Sequence, residues 1–264
     1  MDDNYESNCK DDFKDNHKIN ANLKILSYNI WFDEHKRTER LFSLFENIKI
    51  ENPDVVCLQE VLNFQYDTIK DRLNYDYCFP DKLNGTYGCV ILSKYPIIKS
   101  KIIGLPSRMG RCITLVNINI NKTMIAIANV HFESEFGEIN PTKIEQFRYV
   151  STILNKLYND YNNVILCSDT NVMQQEEKSF TNIFNKMTDA WMAKGKNPQT
   201  EFTYDYFTNL NLQQRNIRLK RRIDKILFRT KNILTLTDFN LIKGSNKTTQ
   251  PSDHHGISAI FKIS

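Results

Sequence analysis

No stretch of this chain is long and apolar enough to span a membrane, and its first twenty residues lack the hydrophobic region of a signal peptide. Both absences point to a protein that works inside the cell. They also make the Asn-x-Ser/Thr triplets at Asn84, Asn121 and Asn246 incidental rather than glycosylated. No Cys-x-x-Cys pair occurs among Cys9, Cys57, Cys78, Cys89, Cys112 and Cys167. That scatter excludes a zinc knuckle and argues against a disulfide framework. Cys57 and Cys167 fall inside apolar runs and are expected to be reduced, buried thiols. Internal repeats, linkers and changes of composition are absent too, which leaves a single domain.

What is present is ordinary for a globular protein: 264 residues, 41% hydrophobic and 25% charged. Charge is uneven. Residues 1–20 hold six acids and three lysines, a net of −3, so the rest carries +7 against a total of +4. The expectation is a disordered acidic tail over residues 1–20 and a catalytic domain over 21–264. The positive body favours a polyanionic partner.

The chain is organised around Asn163-Val-Ile-Leu-Cys-Ser-Asp169-Thr-Asn171. Val164, Ile165 and Leu166 read as a buried strand ending on a carboxylate and an amide. In an extended backbone Asp169 and Asn171 share one side of the sheet rim, and the plainer alternative is that they start a turn. Other runs end alike. Lys24–Asn29 is a strand closing on an amide, and Asp54–Glu60 is one closing on a carboxylate. Arg111–Ile120 and Met124–His131 form a hairpin about Asn121-Lys122 and close on His131. Ile223–Phe228 carries Asp224, and Ile257–Phe261 follows Ser252-Asp253-His254. Helices are predicted from Leu41, Leu44, Phe45 and Ile48, from Phe64 to Leu73, and from Ile144, Phe147, Val150, Leu154 and Leu157. Pro53 stops the first. Met187 to Arg222 reads as polar and irregular. Hairpins mixed with strand–helix–strand units give an α/β fold of two packed sheets flanked by helices.

Asn29, Glu60, His131, Asp169, Asn171, Asp224, Asp253 and His254 all lie in or beside such runs. Converging carboxylates repel one another unless a cation joins them. Oxygen ligands without cysteine favour Mg²⁺ or Mn²⁺ over zinc. Metal, base, amides and histidine together describe phosphoester hydrolysis. Taken singly, each residue has a duller reading; Asp224, for one, pairs most simply with Arg221 or Arg222 on the surface.

At these residues the chain resembles the endonuclease/exonuclease/phosphatase family of Mg²⁺-dependent phosphodiesterases, and within it the branch that frees DNA 5′ ends from topoisomerase tyrosines. The likeness lies in Ser27-Tyr-Asn29, Pro53-Asp-Val-Val-Cys-Leu-Gln-Glu-Val61, Ser107-Arg-Met-Gly-Arg111, His131-Phe-Glu-Ser134, Ser168-Asp-Thr-Asn171, Phe202-Thr-Tyr-Asp205 with Asn209 and Asn211, Arg222–Arg229, and Pro251-Ser-Asp-His-His-Gly256. The resemblance implies a four-layer sandwich. It implies that Glu60 holds Mg²⁺ (or Mn²⁺) with Asp253 in the outer shell. It makes Asp169 the base, with Asn29, Asn171 and His254 on the phosphoryl oxygens and Asp224 orienting His254. His131 and Ser134 add phosphate contacts, and Arg111 falls in a matching segment on the substrate side. The implied partner is a DNA 5′ end carrying a tyrosyl adduct, or a tyrosyl-RNA, bound by a monomer in the nucleus or cytoplasm. Other activities of the family, namely abasic endonuclease, deadenylase or protein–RNA unlinkase, and an inactive nucleic-acid binder, are the alternatives.

Three departures stand out. Ser168 replaces the usual glycine, and His255 replaces an aromatic and so becomes a candidate substrate contact. Met173 stands where vertebrate members place an arginine against the phosphotyrosine ring. Finally, Arg215, Arg218, Lys220, Arg221, Arg222, Lys225, Arg229 and Lys231 share their stretch with one acid, Asp224. Following Tyr204, that run is expected to hold a nucleic-acid strand, with Tyr204, Arg215 and Arg218 foremost.

Overall fold

The structure is a computed structural model that describes residues 22–134, 139–244 and 249–264. The expected tail at residues 1–20 lies outside the described residues, as does Asn246. No helix among the described residues is long and apolar enough to cross a membrane.

In chain order the strands are β1 (Asn22–Asn29), β2 (Val55–Leu62), β3 (Tyr77–Phe79), β4 (Tyr87–Ser93), β5 (Ile97–Gly104), β6 (Cys112–Ile120) and β7 (Thr123–His131). They continue with β8 (Asn163–Asp169), β9 (Thr188–Asp189), β10 (Tyr204–Asp205), β11 (Lys220–Arg221), β12 (Asp224–Thr230), β13 (Leu234–Ile242) and β14 (Gly256–Ile263). The helices are α1 (Arg37–Glu51), α2 (Asn63–Leu73), α3 (Pro141–Tyr161), α4 (Glu177–Ile183), α5 (Ala190–Ala193) and α6 (Leu210–Gln214). One six-stranded sheet runs β13-β14-β1-β2-β4-β3 and the other β5-β6-β7-β8-β12-β9, with β10-β11 a small ribbon beside them.

Strand alternation divides the apolar residues between layers. Leu23, Ile25, Val55, Cys57, Ile127, Ile165, Cys167 and Ile226 meet in the core between the sheets. Their neighbours Leu26, Val56 and Leu58 face outward onto Leu44, Phe45 and Ile48 of α1. Ala128, Val164 and Leu166 face outward onto Phe147, Val150 and Leu154 of α3. The four-layer arrangement follows: helices, sheet, sheet, helices. The Asn121-Lys122 turn has φ of 50° and 66°, the double left-handed geometry that matches the twist of a hairpin.

This parity places the site. Continuing the inward series by twos from Ile25, Ile127, Ile165 and Ile226 brings Asn29, His131, Asp169 and Asp224 to the gap between the sheets at one rim. Register then aligns them, because His131 pairs with Asp169 and Asp169 with Asp224 across adjacent strands. Cys57 and Cys167 are buried free thiols, as expected, whereas Cys78 and Cys112 are only half-buried.

Some elements differ from expectation. Met187–Arg222 is broken by short pieces rather than wholly irregular, and buried Ala190, Trp191 and Leu212 anchor it. β3, β5, β13 and α4 carry no clear period in sequence. β5, for example, is an edge strand with lysines at Lys99 and Lys101, which suits an unpaired edge.

Candidate active site

Asn29 ties the two sheets together. Its Nδ2 donates to Glu60 Oε1 at 3.0 Å and to Asp169 Oδ2 at 2.8 Å, while its Oδ1 accepts from Trp31 N. Glu60 reaches this position by a distortion. The strand does not end there, as expected, but runs on to Leu62. Its pairing with β4 shifts register between Leu58 and Val61, and Glu60 has φ of 62°. Plain alternation would send Glu60 outward with Val56 and Leu58. The bulge turns it inward. Phe32 N holds Glu60 Oε2 at 2.9 Å.

Asp169 sits between two buried histidines. His131 Nε2 is 3.4 Å from Asp169 Oδ2 and 3.7 Å from Glu60 Oε1. His254 Nε2 is 3.8 Å from the same Asp169 oxygen. On its far side His131 Nδ1 meets Arg111 Nη1 at 2.8 Å, whereas His254 Nδ1 meets Asp224 Oδ2 at 2.9 Å. Burial and the Arg111 cation push His131 well below its ordinary pKa. For His254 burial also opposes the charge, but Asp224 and Asp169, then Asp253, outweigh it and hold the imidazolium well above its ordinary range. Burial lifts Asp169 to about 6, against the pull of His254, and Asp253 likewise to about 6; Glu60 is raised by burial as well.

Asn171 is not on an extended strand. Its φ is 47° and its N–H donates to Asp169 Oδ1 at 3.0 Å, so Asp169-Thr-Asn171 is a turn as well as part of the site. The Asn171 Nδ2 donates to Phe132 O. Arg111 lies 5% exposed against His131, with Nη2 3.3 Å from the half-buried Ser134 Oγ. Tyr204 packs edge-on to His254 at 5.0 Å. Met173 touches the guanidinium of Arg221, which lies opposite Tyr204 in the β10-β11 ribbon.

One assignment fails. His255 is 1% exposed, with Nε2 on Thr208 Oγ1 at 2.9 Å and N–H on Thr203 O at 2.7 Å. Burial, followed by Lys243, lowers it to about 4. It points into the protein, so it is a structural histidine and not a substrate contact. Asp224 is also not the surface partner of Arg221 or Arg222. It is 3% exposed, and Arg222 pairs instead with Asp189 at 2.7 Å. Three of the eight basic residues of the run, Arg222 among them, turn out to be structural. Lys225 is buried on Glu177, and Arg229 bonds Asn155 and lies over Tyr158. Arg215 and Arg218 remain exposed, Arg215 over Trp31 and 3.8 Å from Asp33, Arg218 on Asn216.

Sequence reasoning gave no role to the residues that hold these groups. Thr203 Oγ1 accepts from both Ile223 N and Asp224 N. Asn209 and Asn211 donate to Ser252 O and fix the turn carrying Asp253 and His254. Gly256 follows that turn, and any Cβ there would lie 2.6 Å from the Tyr28 ring. Glu133, fully buried, accepts from Ser107 Oγ, Arg108 N and Gln146 Nε2, and so anchors the loop bearing Arg111. Their signal was present in the matching motifs, as polar residues beside the chemistry without any of their own.

One ligand atom each from Glu60, His131 and Asp169 lie within 4.8 Å of one another, as do those from Asp169, Asp224 and His254. Glu60, Asp169 and Asp253 all have protonation favoured by burial, which is how carboxylates behave when too few cations face them. The oxygen-rich donors fit a hard divalent cation.

Comparison with known proteins agrees with this geometry. The family model for the endonuclease/exonuclease/phosphatase family matches residues 26–254. Tyrosyl-DNA phosphodiesterase 2 of Xenopus tropicalis is 27% identical over 92% of this chain and 67% of its own. The 5'-tyrosyl-DNA phosphodiesterase of Caenorhabditis elegans is 27% identical over 90% of this chain and 67% of its own. In fold, truncated C. elegans TDP2 superposes with a TM-score of 0.80 at 24% identity, covering 92% of this chain and 98% of that one. D. rerio TDP2 complexed with single strand DNA product gives 0.80 at 23% identity, covering 92% and 100%. With the family model spanning nearly the whole described chain, this protein belongs to the endonuclease/exonuclease/phosphatase family.

Proposed function

We propose that this chain is a Mg²⁺-dependent phosphodiesterase that hydrolyses the 5′-phosphotyrosyl bond between a protein tyrosine and DNA. The observation that carries the reading is the carboxylate of Asp169, lifted toward neutral pH and set between one neutral and one charged imidazole. Its similarity to the tyrosyl-DNA phosphodiesterases supports the choice of substrate.

In this reading Asp169 accepts the proton of the attacking water, held for it by the Asn29 amide. The water oxygen bonds to phosphorus, the bond from phosphorus to the tyrosine oxygen breaks, and a 5′-phosphate remains on the DNA. His254, charged and oriented by Asp224, faces the charge that develops on the phosphoryl oxygens. His131 contributes a neutral donor, because Arg111 can only donate to Nδ1 and the proton must therefore sit on Nε2. Asn171 and Ser134 complete the grip. Glu60 would hold the cation directly, with Asp253 behind it; when bound, the ion polarises a phosphoryl oxygen and offsets its negative charge. The tyrosine oxygen departs readily, since a phenol has a pKa of about 10.

The test is a panel of 5′-tyrosyl DNA, 3′-tyrosyl DNA, abasic duplex, poly(A) and tyrosyl-RNA with Mg²⁺, read for wild type and Asp169→Asn. Selective cleavage of 5′-tyrosyl DNA is expected, with kcat lower in the variant by about 10²–10⁴-fold. Preference for the abasic or poly(A) substrate overturns the reading.

A further inference from the structure

Behind the turn that follows Asp169 lies an ion pair with no access to water. Lys143, in the first turn of α3, is 1% exposed, and Glu176 is 0% exposed. Their charged atoms are 3.0 Å apart. Lys143 Nζ also donates to Asn171 O at 2.8 Å. Glu176 Oε2 accepts from Met173 N at 2.9 Å, and its Oε1 accepts from Asn140 N at 3.0 Å. The Asn140 side chain in turn caps α3 by accepting from Lys143 N.

A pair buried this deeply adds little to fold stability. Desolvating two charges costs about as much as their attraction returns, and an apolar pair of similar volume commonly holds a fold as well. An apolar pair cannot, however, fix the carbonyl of one loop residue and the amide of another. Those are what this pair grips: Asn171 O and Met173 N, on either side of Val172. Asn171 has φ of 47°, a left-handed conformation that asparagine tolerates better than most L-residues, so the backbone can turn here and be held from two sides. From the other side its N–H is held by Asp169 and its side chain by Phe132 O.

We infer that Lys143 and Glu176 are positioning residues, a buried clamp that fixes Asn171 and Met173 relative to Asp169. Neither approaches the reacting atoms. Both act through the turn they hold, so the inference rests on the reading of Asp169 and Asn171 above.

The experiment compares wild type with Lys143→Met/Glu176→Leu and with Lys143→Arg. It uses a chromogenic nitrophenyl ester of thymidine 5′-phosphate as well as 5′-tyrosyl DNA. For the apolar double variant kcat is read well below its own melting temperature, because Asn171 O, Met173 N and Asn140 N lose their partners and the fold loses some stability with them. Its kcat on both substrates should fall by about 10²-fold, as a misplacement near 1 Å does, while KM moves less than about threefold. Amide exchange at Asn171 and Met173 should quicken while the strands on either side stay protected. Lys143→Arg, which keeps a charged donor, should recover most of kcat. Unchanged kcat with unchanged exchange overturns the clamp, as does a kcat loss that merely follows lost stability. If the double variant does not fold, Glu176→Gln removes the charge at constant shape, and unchanged exchange and kcat there also overturn it. Should wild type cleave the nitrophenyl ester but not tyrosyl DNA, the substrate assignment fails; the clamp is still read from the ester and from exchange.

Discussion

His131 and His254 are a natural pair for comparison. Both are buried, and both bring Nε2 within 4 Å of the same oxygen of Asp169. Yet one is held neutral and the other charged. Burial acts alike on the two, so it cannot be the cause of the difference. The cause is what each meets at Nδ1, a guanidinium for His131 and a carboxylate for His254. Two imidazoles with one carboxylate between them thus take opposite protonation states, and the partner behind each ring decides which.

The comparison breaks most completely at Asp224. Asp224→Asn keeps the shape but withdraws the carboxylate that holds His254 charged, and an amide oxygen accepting from Nδ1–H leaves a neutral ring with no proton on Nε2 to donate. A loss of about 10³–10⁴-fold in kcat is expected, the scale found when an orienting carboxylate behind a catalytic histidine becomes an amide. His254→Ala should be comparably severe, and the double variant no worse than the worse single one. Losses that multiply would show that the two residues do not act as a unit.

Removing the guanidinium behind the other ring should cost less. Arg111→Gln still offers an N–H to His131 Nδ1 but withdraws the positive charge. A drop of about 10–100-fold in activity is expected, as for other groups that orient a ligand from behind. Nitrogen-resolved NMR of His131 should show the Nε2-protonated neutral form in wild type, and in the variant the ring should take up a proton at higher pH than in wild type, though burial still opposes its charge. No movement of that titration would assign Arg111 to substrate contact instead.

The two halves of this comparison were unequally legible. Asn29, His131, Asp169 and Asp224 follow from strand parity, because each continues an inward apolar series that alternation exposes in the sequence. Glu60 does not. Its inward turn depends on a bulge, and nothing in Val-Cys-Leu-Gln-Glu-Val announces a positive φ. The partner behind His131 is also hidden, since Arg111 stands just before β6 and meets His131 across the β6-β7 pairing rather than through spacing. His255 misled because it stands at the aromatic position after His254 and so reads as a substrate contact, whereas the turn sends it to Thr208. The basic run likewise hid a division. Lys225 lies on a central strand and must be buried, while Arg215 follows a five-residue helix at the surface.

The residue between the histidines offers a third test, through stability. Asp169 and Asp253 have folded-state values raised to about 6, from ordinary values near 3.8. A raised acid stabilises the fold below its unfolded value, and that contribution is lost as pH rises through the folded one. The metal-free protein should therefore lose stability between about pH 4 and 6 on account of these groups. A divalent cation replaces the protons, so its stabilising effect should grow over the same window. The rise in melting temperature on adding Mg²⁺ should be several degrees at pH 7 and near zero at pH 4.5. In Glu60→Gln it should be small at both. An equal rise at both pH values in wild type would place the cation elsewhere.

The smallest effect concerns the wall beside His254, where charge again comes from an unexpected direction. Met173 lines this wall, and a thioether contacts an aromatic ring more weakly than a cation does. The guanidinium at this spot is that of Arg221, which reaches Met173 from β11, with Tyr204 facing it across the ribbon. If this cation faces the tyrosine ring of the adduct, Arg221→Gln should raise KM for 5′-tyrosyl DNA by about two- to fivefold, the worth of a partly exposed cation–π contact. A nitrophenyl leaving group, whose electron-poor ring attracts a cation less, should show a smaller change, and kcat should hold for both. Arg218→Ala should act differently, raising KM for long DNA and lowering its salt dependence without touching the nitrophenyl ester, since a lost phosphate contact releases fewer counterions. Should Arg221→Gln behave as Arg218→Ala does, Arg221 follows the DNA strand, and the pocket for the tyrosine ring rests on Met173 and Tyr204 alone.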